Sequence, residues 1–520
     1  MTAVERPFAL ALVTCMLLAS AASAQPSTPG VDELLARYAR AIADPGVDPE
    51  APLEMQGTLS GTGLSGSFHL WQNGTRRRVD QNLGPRDEST FTLGSHVYVR
   101  DSDGDVREYT GILLRRERTD DFVESGAFAK APENCTVRGP ETVDGRAAYA
   151  LDVTAPGGDT ETVDLDAQTG LPLRYGYDQD DARVTIELSD WRSIGGRRFA
   201  FHVVGSNGDH DFDEIEQLTT VNLAPVITDA LFALPPPRPI EMQAPETLAL
   251  TYRDGHLFVP VTLAGKTYSF MLDSGSQTIV VDERVARAAG LLEEGHLEAA
   301  GTTRTGGLKL AKVNALQVGG GTMRDLVVTT LDLSGSSGGA FKIDGILGYT
   351  FFAKATVEID PATNRMRFGP PGSFAPRGTR VALDVDRAIP EASLRMNDAV
   401  DGSFLIDTGN AGEILLYHRF LQAHPGLVPV SQNERRSYGI GGATASYHTT
   451  LDRLRLGDET LYHADTDVMQ ATTGAFADRF DAGNVGFGVL KNFVTTFAFS
   501  ERALYLERGA AFDDGRDRHG

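Results

Sequence analysis

Two short stretches of this chain place a carboxylate where it could do chemistry. Asp273 follows the apolar run Phe270-Met271-Leu272 and opens the triplet Asp273-Ser274-Gly275, after which Ile279-Val280-Val281 is apolar again. Asp407 follows Phe404-Leu405-Ile406 and opens Asp407-Thr408-Gly409, with Ile414-Leu415-Leu416 beyond it. One such triplet is an ordinary strand-end turn. Two of them at matching places of a repeat describe a pair of carboxyls brought together. Two carboxyls about 3 Å apart cannot both ionise, so they share one proton. The ionised member can take a proton from water while the protonated member polarises a carbonyl, which meets the need of amide hydrolysis without a nucleophile or a metal. The Ser274 and Thr408 hydroxyls can donate hydrogen bonds that lock the two loops together. Gly275 and Gly409 let backbone approach closely in the turn.

The elements that must position these groups recur in two pieces of similar length, 247–370 and 371–508. Each piece leads strands into its Asp triplet and continues with an amphipathic helix candidate, Asp282–Ala289 or Tyr417–Ala423. A Gly-rich hairpin follows, at Gly301–Leu308 with Gly306 inside it, and at Tyr438–Ala443 with Gly439 and Gly441. Each piece then has a strand pair around a turn and closes on an apolar segment with glycine, Ile346-Leu347-Gly348 or Asn484-Val485-Gly486. From Leu347/Val485 to Asp360/Ala498 the two copies align without a gap.

The front half carries no such chemistry. Leu34, Leu35, Tyr38, Ala41 and Ile42 recur at helical spacing, and Pro45-Gly46 ends a short helix over Val31–Ala43. Strands are expected at Gly66–Leu70 and Arg76–Gln81 around Asn73-Gly74, then at Thr90–Val99, Ala147–Thr154, Glu161–Leu165, Leu171–Tyr177, Arg183–Ser189 and Arg198–Val204. Asp144-Gly145 and Gly195-Gly196 are turn signals between them. Short strands at regular spacing imply an antiparallel meander or half-barrel. The Pro-rich stretch 235–246 reads as a stiff linker, which bounds a β domain at 25–234. The polar tail 509–520 is expected to be disordered.

Residues 1–24 read as an exported leader rather than structure: Arg6, an apolar run Phe8–Leu18, and Ala22-Ser23-Ala24 as the cleavage site. Cleavage after Ala24 makes the protein periplasmic or secreted. No later run is long enough to span a bilayer. A net charge of −23 excludes the basic footprint that nucleic-acid binding needs. Cys135 is the one thiol left after cleavage, so no internal disulfide can form. Histidines are scattered without metal-ligand spacing, and no cofactor or metal is expected. Gly335-Ser336-Ser337-Gly338-Gly339 matches G-x-S-x-G but lacks the helix a nucleophile elbow needs, so it reads as a flexible loop.

On these motifs the two C-terminal pieces resemble the retropepsin-like and pepsin-like aspartic proteases, in a bacterial exported form. The resemblance implies a bilobal fold of two tandem β-barrel lobes. It implies that Asp273 and Asp407 are the catalytic pair, that Ser274 and Thr408 brace it, and that the Gly-rich hairpins are flaps, with Tyr438 substrate-facing. Peptide or protein would be the substrate and a monomer would suffice. Asn410 and Asn484 depart from the family pattern, and in the family's scheme neither position touches the carboxylates. Residues of about 30–235, through 143–145, 163–174, 188–199 and 229–235, resemble the LolA/LppX-like periplasmic carriers. That resemblance implies a curved antiparallel sheet with a helical lid and a possible lipid or lipoprotein partner. Together they predict a mainly β chain whose expected function is exported aspartic endopeptidase, with a binding protein carrying inactive protease-like lobes as the alternative.

Overall fold

Tight turns and strand alternation build the front half into one sheet. A computed structural model describes residues 28–48, 51–179, 182–301, 304–440, 442–471, 474–510 and 512–516; the leader at 1–24 lies outside the described residues. Thirteen strands form a continuous antiparallel sheet that starts at the Val106–Glu108 edge, passes through Leu53–Gly61 beside Glu214–Asn222, and ends at Cys135–Val143. Asp144-Gly145 and Gly195-Gly196 both hold positive φ at their two central positions, the turn whose twist matches a hairpin. The helix Val31–Ile42 lays Leu34, Leu35 and Tyr38 against Phe128, Leu151 and Val163, which close a solid core at one end of the sheet.

Two local expectations fail for identifiable reasons. The single strand expected over Thr90–Val99 is a hairpin, because the chain turns at Gly94 (φ 68°) and sets Leu93 opposite His96. The helix Gly111–Glu124 has almost no apolar stripe, so periodicity could not reveal it. It buries Thr119 and Val123 and is held by charge, with Arg116 pairing Asp120 and the buried Glu161.

The C-terminal half is two six-stranded barrels with the same strand order. In the first, the strands run His256–Leu263, Lys266–Leu272, Gly345–Leu347, Val280–Asp282, Gly321–Leu331 and Arg304–Val318, the last pairing back on the first. In the second, they run Glu391–Met396, Val400–Asp407, Gly483–Gly486, Ile414–Leu416, Glu459–Met469 and Gly442–Leu456, closed in the same way. Hairpin strands Glu293–Ala300 and Glu434–Gly439 extend the two barrels at equivalent places.

A six-stranded sheet joins the lobes below the barrels. Each lobe gives three strands, and the central pair sets Val357 against Phe497 and Ile359 against Thr495. Phe352, Phe497 and Phe499 pack ring on ring behind it. Each such side chain, once buried, contributes about 1.5–3 kcal/mol. The two lobes are therefore paired within one chain.

The segments between and after the domains are packed. In the proline-rich stretch, Ile240 is buried, its N–H donates to Lys354 O, and Glu241 bridges Thr322 in both directions. At the C-terminal end, where disorder is expected, Phe512 meets the Phe493 ring and Asp514 O accepts the Tyr462 N–H. The N-terminal sheet docks on both lobes. Asp103 accepts hydrogen bonds from Val327 N and Thr350 Oγ1, and buried Lys354 donates to Asp105. Across the second lobe, Arg502 donates to Glu108 O, and Leu113 N donates to Asp386.

Candidate active site

Each Asp triplet leaves the end of a buried strand that is sandwiched in its sheet. Lys266–Leu272 runs parallel to Gly345–Leu347, and Asp273 N donates to Leu347 O at 3.0 Å. Val400–Asp407 runs parallel to Gly483–Gly486. The strand behind each triplet thus fixes where its carboxyl emerges. Gly348 and Gly486 sit against backbone carbonyls closely enough that a Cβ would fall 2.1 Å from Thr278 O and 2.3 Å from Gly412 O.

The two triplets clasp each other. Ser274 N donates to Thr408 Oγ1 at 3.0 Å and Thr408 N donates to Ser274 Oγ at 3.1 Å. The hydroxyls then cross over, Ser274 Oγ to Ile406 O at 2.7 Å and Thr408 Oγ1 to Leu272 O at 3.0 Å. All four bonds are buried, and no partner is left over. The clasp brings each motif glycine against the other lobe's carboxyl. A Cβ on Gly409 would lie 2.3 Å from Asp273 Cγ, and one on Gly275 would lie 2.5 Å from Asp407 Cγ. Only glycine fits either position.

The Asp273 and Asp407 carboxyls are thus brought side by side, each against the other lobe's motif glycine. Burial, then the Asp407 charge, then hydrogen bonding with the Asp407 side chain push the Asp273 carboxyl well above the usual carboxylate range. Gly275 N donates to Asp273 Oδ1 at 2.9 Å. Asp407 is better served with donors: Gly409 N at 2.8 Å and Asn410 N at 3.2 Å on Oδ1, and Asn484 Nδ2 at 2.5 Å on Oδ2. This corrects the expectation that Asn410 and Asn484 stand clear of the carboxylates. Asn484 occupies the strand position of Ile346 in the first lobe, facing Leu405 as Ile346 faces Met271. The trace in the sequence is an asparagine inside an otherwise apolar buried strand.

Two hairpins cover the cleft. Their tips meet, since a Cβ on Gly301 would lie 2.2 Å from Ile440 O. Ile440 packs on the first-lobe cluster of Phe258, Leu333 and Ile346. Tyr438 is half exposed, and its ring rests on Gly338 of the first lobe rather than on the dyad. Gly439 ends its strand at the tip, and Gly306 falls within the strand Arg304–Val318. Gly441 lies outside the described residues. Leu59, Leu64 and Leu83 of the N-terminal sheet pack with Leu297, Leu308 and Leu310 of the first hairpin, and His296 N donates to Thr62 O at 2.8 Å.

Residues 259–351 match the aspartyl protease family, a span that holds Asp273-Ser274-Gly275 and Ile346-Leu347-Gly348. The chain thus carries an aspartyl-protease-like domain. No curated protein matches the chain significantly. Among solved structures, a DUF1329 family protein from Desulfovibrio piger is similar at 15% identity and a TM-score of 0.29, over 39% of this chain and 95% of that one. A LolA superfamily protein from Nitrosomonas europaea is similar at 11% identity and a TM-score of 0.29, over 39% of this chain and 98% of that one. Among the described residues, no helix is long and apolar enough to cross a membrane.

Proposed function

We propose that this chain is an exported aspartic endopeptidase that hydrolyses peptide bonds with the Asp273/Asp407 pair. One observation carries the reading: two carboxyls from two lobes are brought together, each against the other lobe's motif glycine, on loops that hold each other through four reciprocal bonds. The pair shares a single proton. Its ionised member takes a proton from water as the water oxygen attacks the scissile carbonyl, and its protonated member gives its proton to the carbonyl oxygen. The hairpins meeting over the cleft exclude bulk water from that step once an extended peptide lies beneath them. Residues 1–24 direct the chain to the periplasm or beyond.

The N-terminal sheet serves this reading as a brace for the first hairpin and for both lobes. The core beneath the Val31–Ile42 helix is filled by its own side chains, which counts against lipid carriage at that end of the sheet. The test is cleavage of an unfolded protein from pH 3 to pH 8 by the wild type, Asp273→Asn and Asp407→Asn. We expect cleavage by the wild type alone, lost toward high pH as the shared proton leaves. A folded, active single variant would overturn the shared-dyad mechanism.

A further inference from the structure

The two carboxyls are not equivalent, and the difference lies in one strand of asparagine hydrogen bonds. Gly412 N donates to Asn410 Oδ1 at 2.9 Å, Asn410 Nδ2 donates to Asn484 Oδ1 at 2.9 Å, and Asn484 Nδ2 donates to Asp407 Oδ2 at 2.5 Å. A backbone N–H is always a donor, so the direction of the whole relay is set at Gly412. Asn410 must turn its oxygen to Gly412 and its NH₂ to Asn484, and Asn484 must then turn its NH₂ to Asp407. With Asn484 only 5% exposed, water offers little alternative. Asp407 Oδ2 therefore faces a donor, while its Oδ1 already receives the Gly409 and Asn410 amides. An N–H donor on each oxygen favours the ionised carboxylate and disfavours a proton there.

The first lobe lacks the relay. Ile346 stands at the place of Asn484 and Ser276 at the place of Asn410, and the Ser276 hydroxyl donates to Thr278 O at 3.0 Å instead. No side-chain amide from its own lobe reaches Asp273 among the described residues.

We propose that Asn484 is a positioning residue that fixes the dyad's single proton on Asp273 and so assigns the roles: Asp407 is the base that receives the water proton and Asp273 is the acid. This inference rests on the dyad reading above. In the hydration step a proton leaves water for Asp407, the water oxygen bonds to the carbonyl carbon, and the carbonyl oxygen takes the Asp273 proton. In the cleavage step Asp407 passes its proton to the amide nitrogen as the C–N bond breaks, and Asp273 recovers a proton from a hydroxyl of the diol. The dyad ends as it began. Among the described residues, the Tyr417 phenol, which burial keeps neutral, faces Asp407, and the Arg387, Asp478 and Asp481 group faces Tyr417 in turn.

The test uses the first lobe's own residues as substitutions, in the full chain. Asn484→Ile removes the donor to Asp407, and Asn410→Ser removes the group that orients Asn484. Losing a donor to the anion makes that anion harder to form. The acid limb of the kcat/KM profile should move up by about one pH unit in Asn484→Ile and by less in Asn410→Ser. A merely structural role would lower activity at all pH values without moving the limb, and an unmoved limb in a folded, active variant overturns the inference. Neutron density of the dyad reads the same point without any turnover. A proton on Asp273 in wild type, spread over both carboxyls in Asn484→Ile, supports it; a proton on Asp407 in wild type overturns it. If folded wild type cleaves nothing at any pH, the peptidase reading fails, and the neutron measurement alone decides the proton's place.

Discussion

The two lobes share their strand order and the hydroxyl clasp, yet they hold their working parts by different means. In the first lobe, the strand behind Asp273 is apolar at Ile346, and the covering hairpin is seated on the N-terminal sheet through Leu64 and Leu83. In the second, an asparagine relay stands behind Asp407, and the hairpin reaches across the cleft to the first lobe through Ile440 and Tyr438. A dimer of identical lobes must offer both carboxyls the same partners. Two lobes in one chain are free of that constraint. Here one has acquired a polar support for its carboxyl and the other a fixed support for its hairpin.

The largest effect tests what the lobes still have in common. If the two carboxyls share one proton, losing either should be as damaging as losing the other. Asp273→Asn and Asp407→Asn are each expected to lower kcat by about 10³–10⁴-fold with unfolding midpoints near wild type. Unequal losses would show that one lobe carries most of the chemistry.

Docking of the N-terminal sheet divides the lobes next. On the first lobe, Lys354 Nζ is buried and holds Asp105 Oδ1, Asp103 O and Arg238 O. On the second, Arg502 makes one bond to Glu108 O. Lys354→Met leaves buried carboxylates without their cation and should cost about 3–5 kcal/mol in urea unfolding. Arg502→Met removes a single charge-assisted bond and should cost about 1–3 kcal/mol. Equal losses would mean that the sheet leans on both lobes alike.

The clasp is the symmetric part of the site, and its two halves should cost the same. Ser274→Ala leaves the Thr408 N–H unpaired in a buried position, and Thr408→Val does the same to Ser274 N–H. Each is expected to destabilise by about 1–3 kcal/mol, read from denaturant midpoints. Nearly equal values would confine the asymmetry to the asparagine relay and the hairpins.

The symmetric features are also the ones legible in the sequence. A repeat shows itself by likeness, so the triplets, the helices after Asp282 and Tyr417, and the strands at 346–348 and 484–486 could be paired by eye. The expected first residues, Asp282 and Tyr417, are the helix caps, and each helix begins one residue later. What escaped depends on pairing between distant segments. The six-stranded sheet forms from strands of both lobes, and no local pattern announces which strand will meet which. Asn484 was visible as an oddity, but its partner Asn410 is remote in sequence and meets it only because parallel pairing sets the strand Gly483–Gly486 beside the strand that leads into the Asn410 loop. Seating of the first hairpin on Leu64 and Leu83 is hidden for the same reason.

The smallest expected effect concerns pH, and it asks whether the two docking surfaces respond alike. Burial, then the Asp101 charge, push Asp103 up to about 6, and burial followed by Asp101 pushes Asp105 up to about 8. Three carboxylates here face two cations, Arg107 and Lys354, so the folded cluster keeps a proton that the unfolded chain would release. On the second lobe, burial and then Asp384 push Asp386 up to about 6. For carboxyls raised in this way, the folded state binds more protons than the unfolded one between about pH 4 and 8. Their stabilisation is full below pH 4 and is lost as pH rises through 6 to 8. Asp103→Asn and Asp386→Asn stay neutral at every pH. Each should therefore flatten the fall in urea midpoint between pH 5 and pH 8, by about 1–2 kcal/mol after allowing for the nearby cations. Glu391 and Asp481, also raised around Arg387, add to the wild-type slope, so the measurement that matters is the difference between each variant and wild type. A flattened slope in both variants would mean that acid tightens the sheet onto both lobes. A flattened slope in Asp103→Asn alone would add pH sensing to the list of ways in which the first lobe differs from the second.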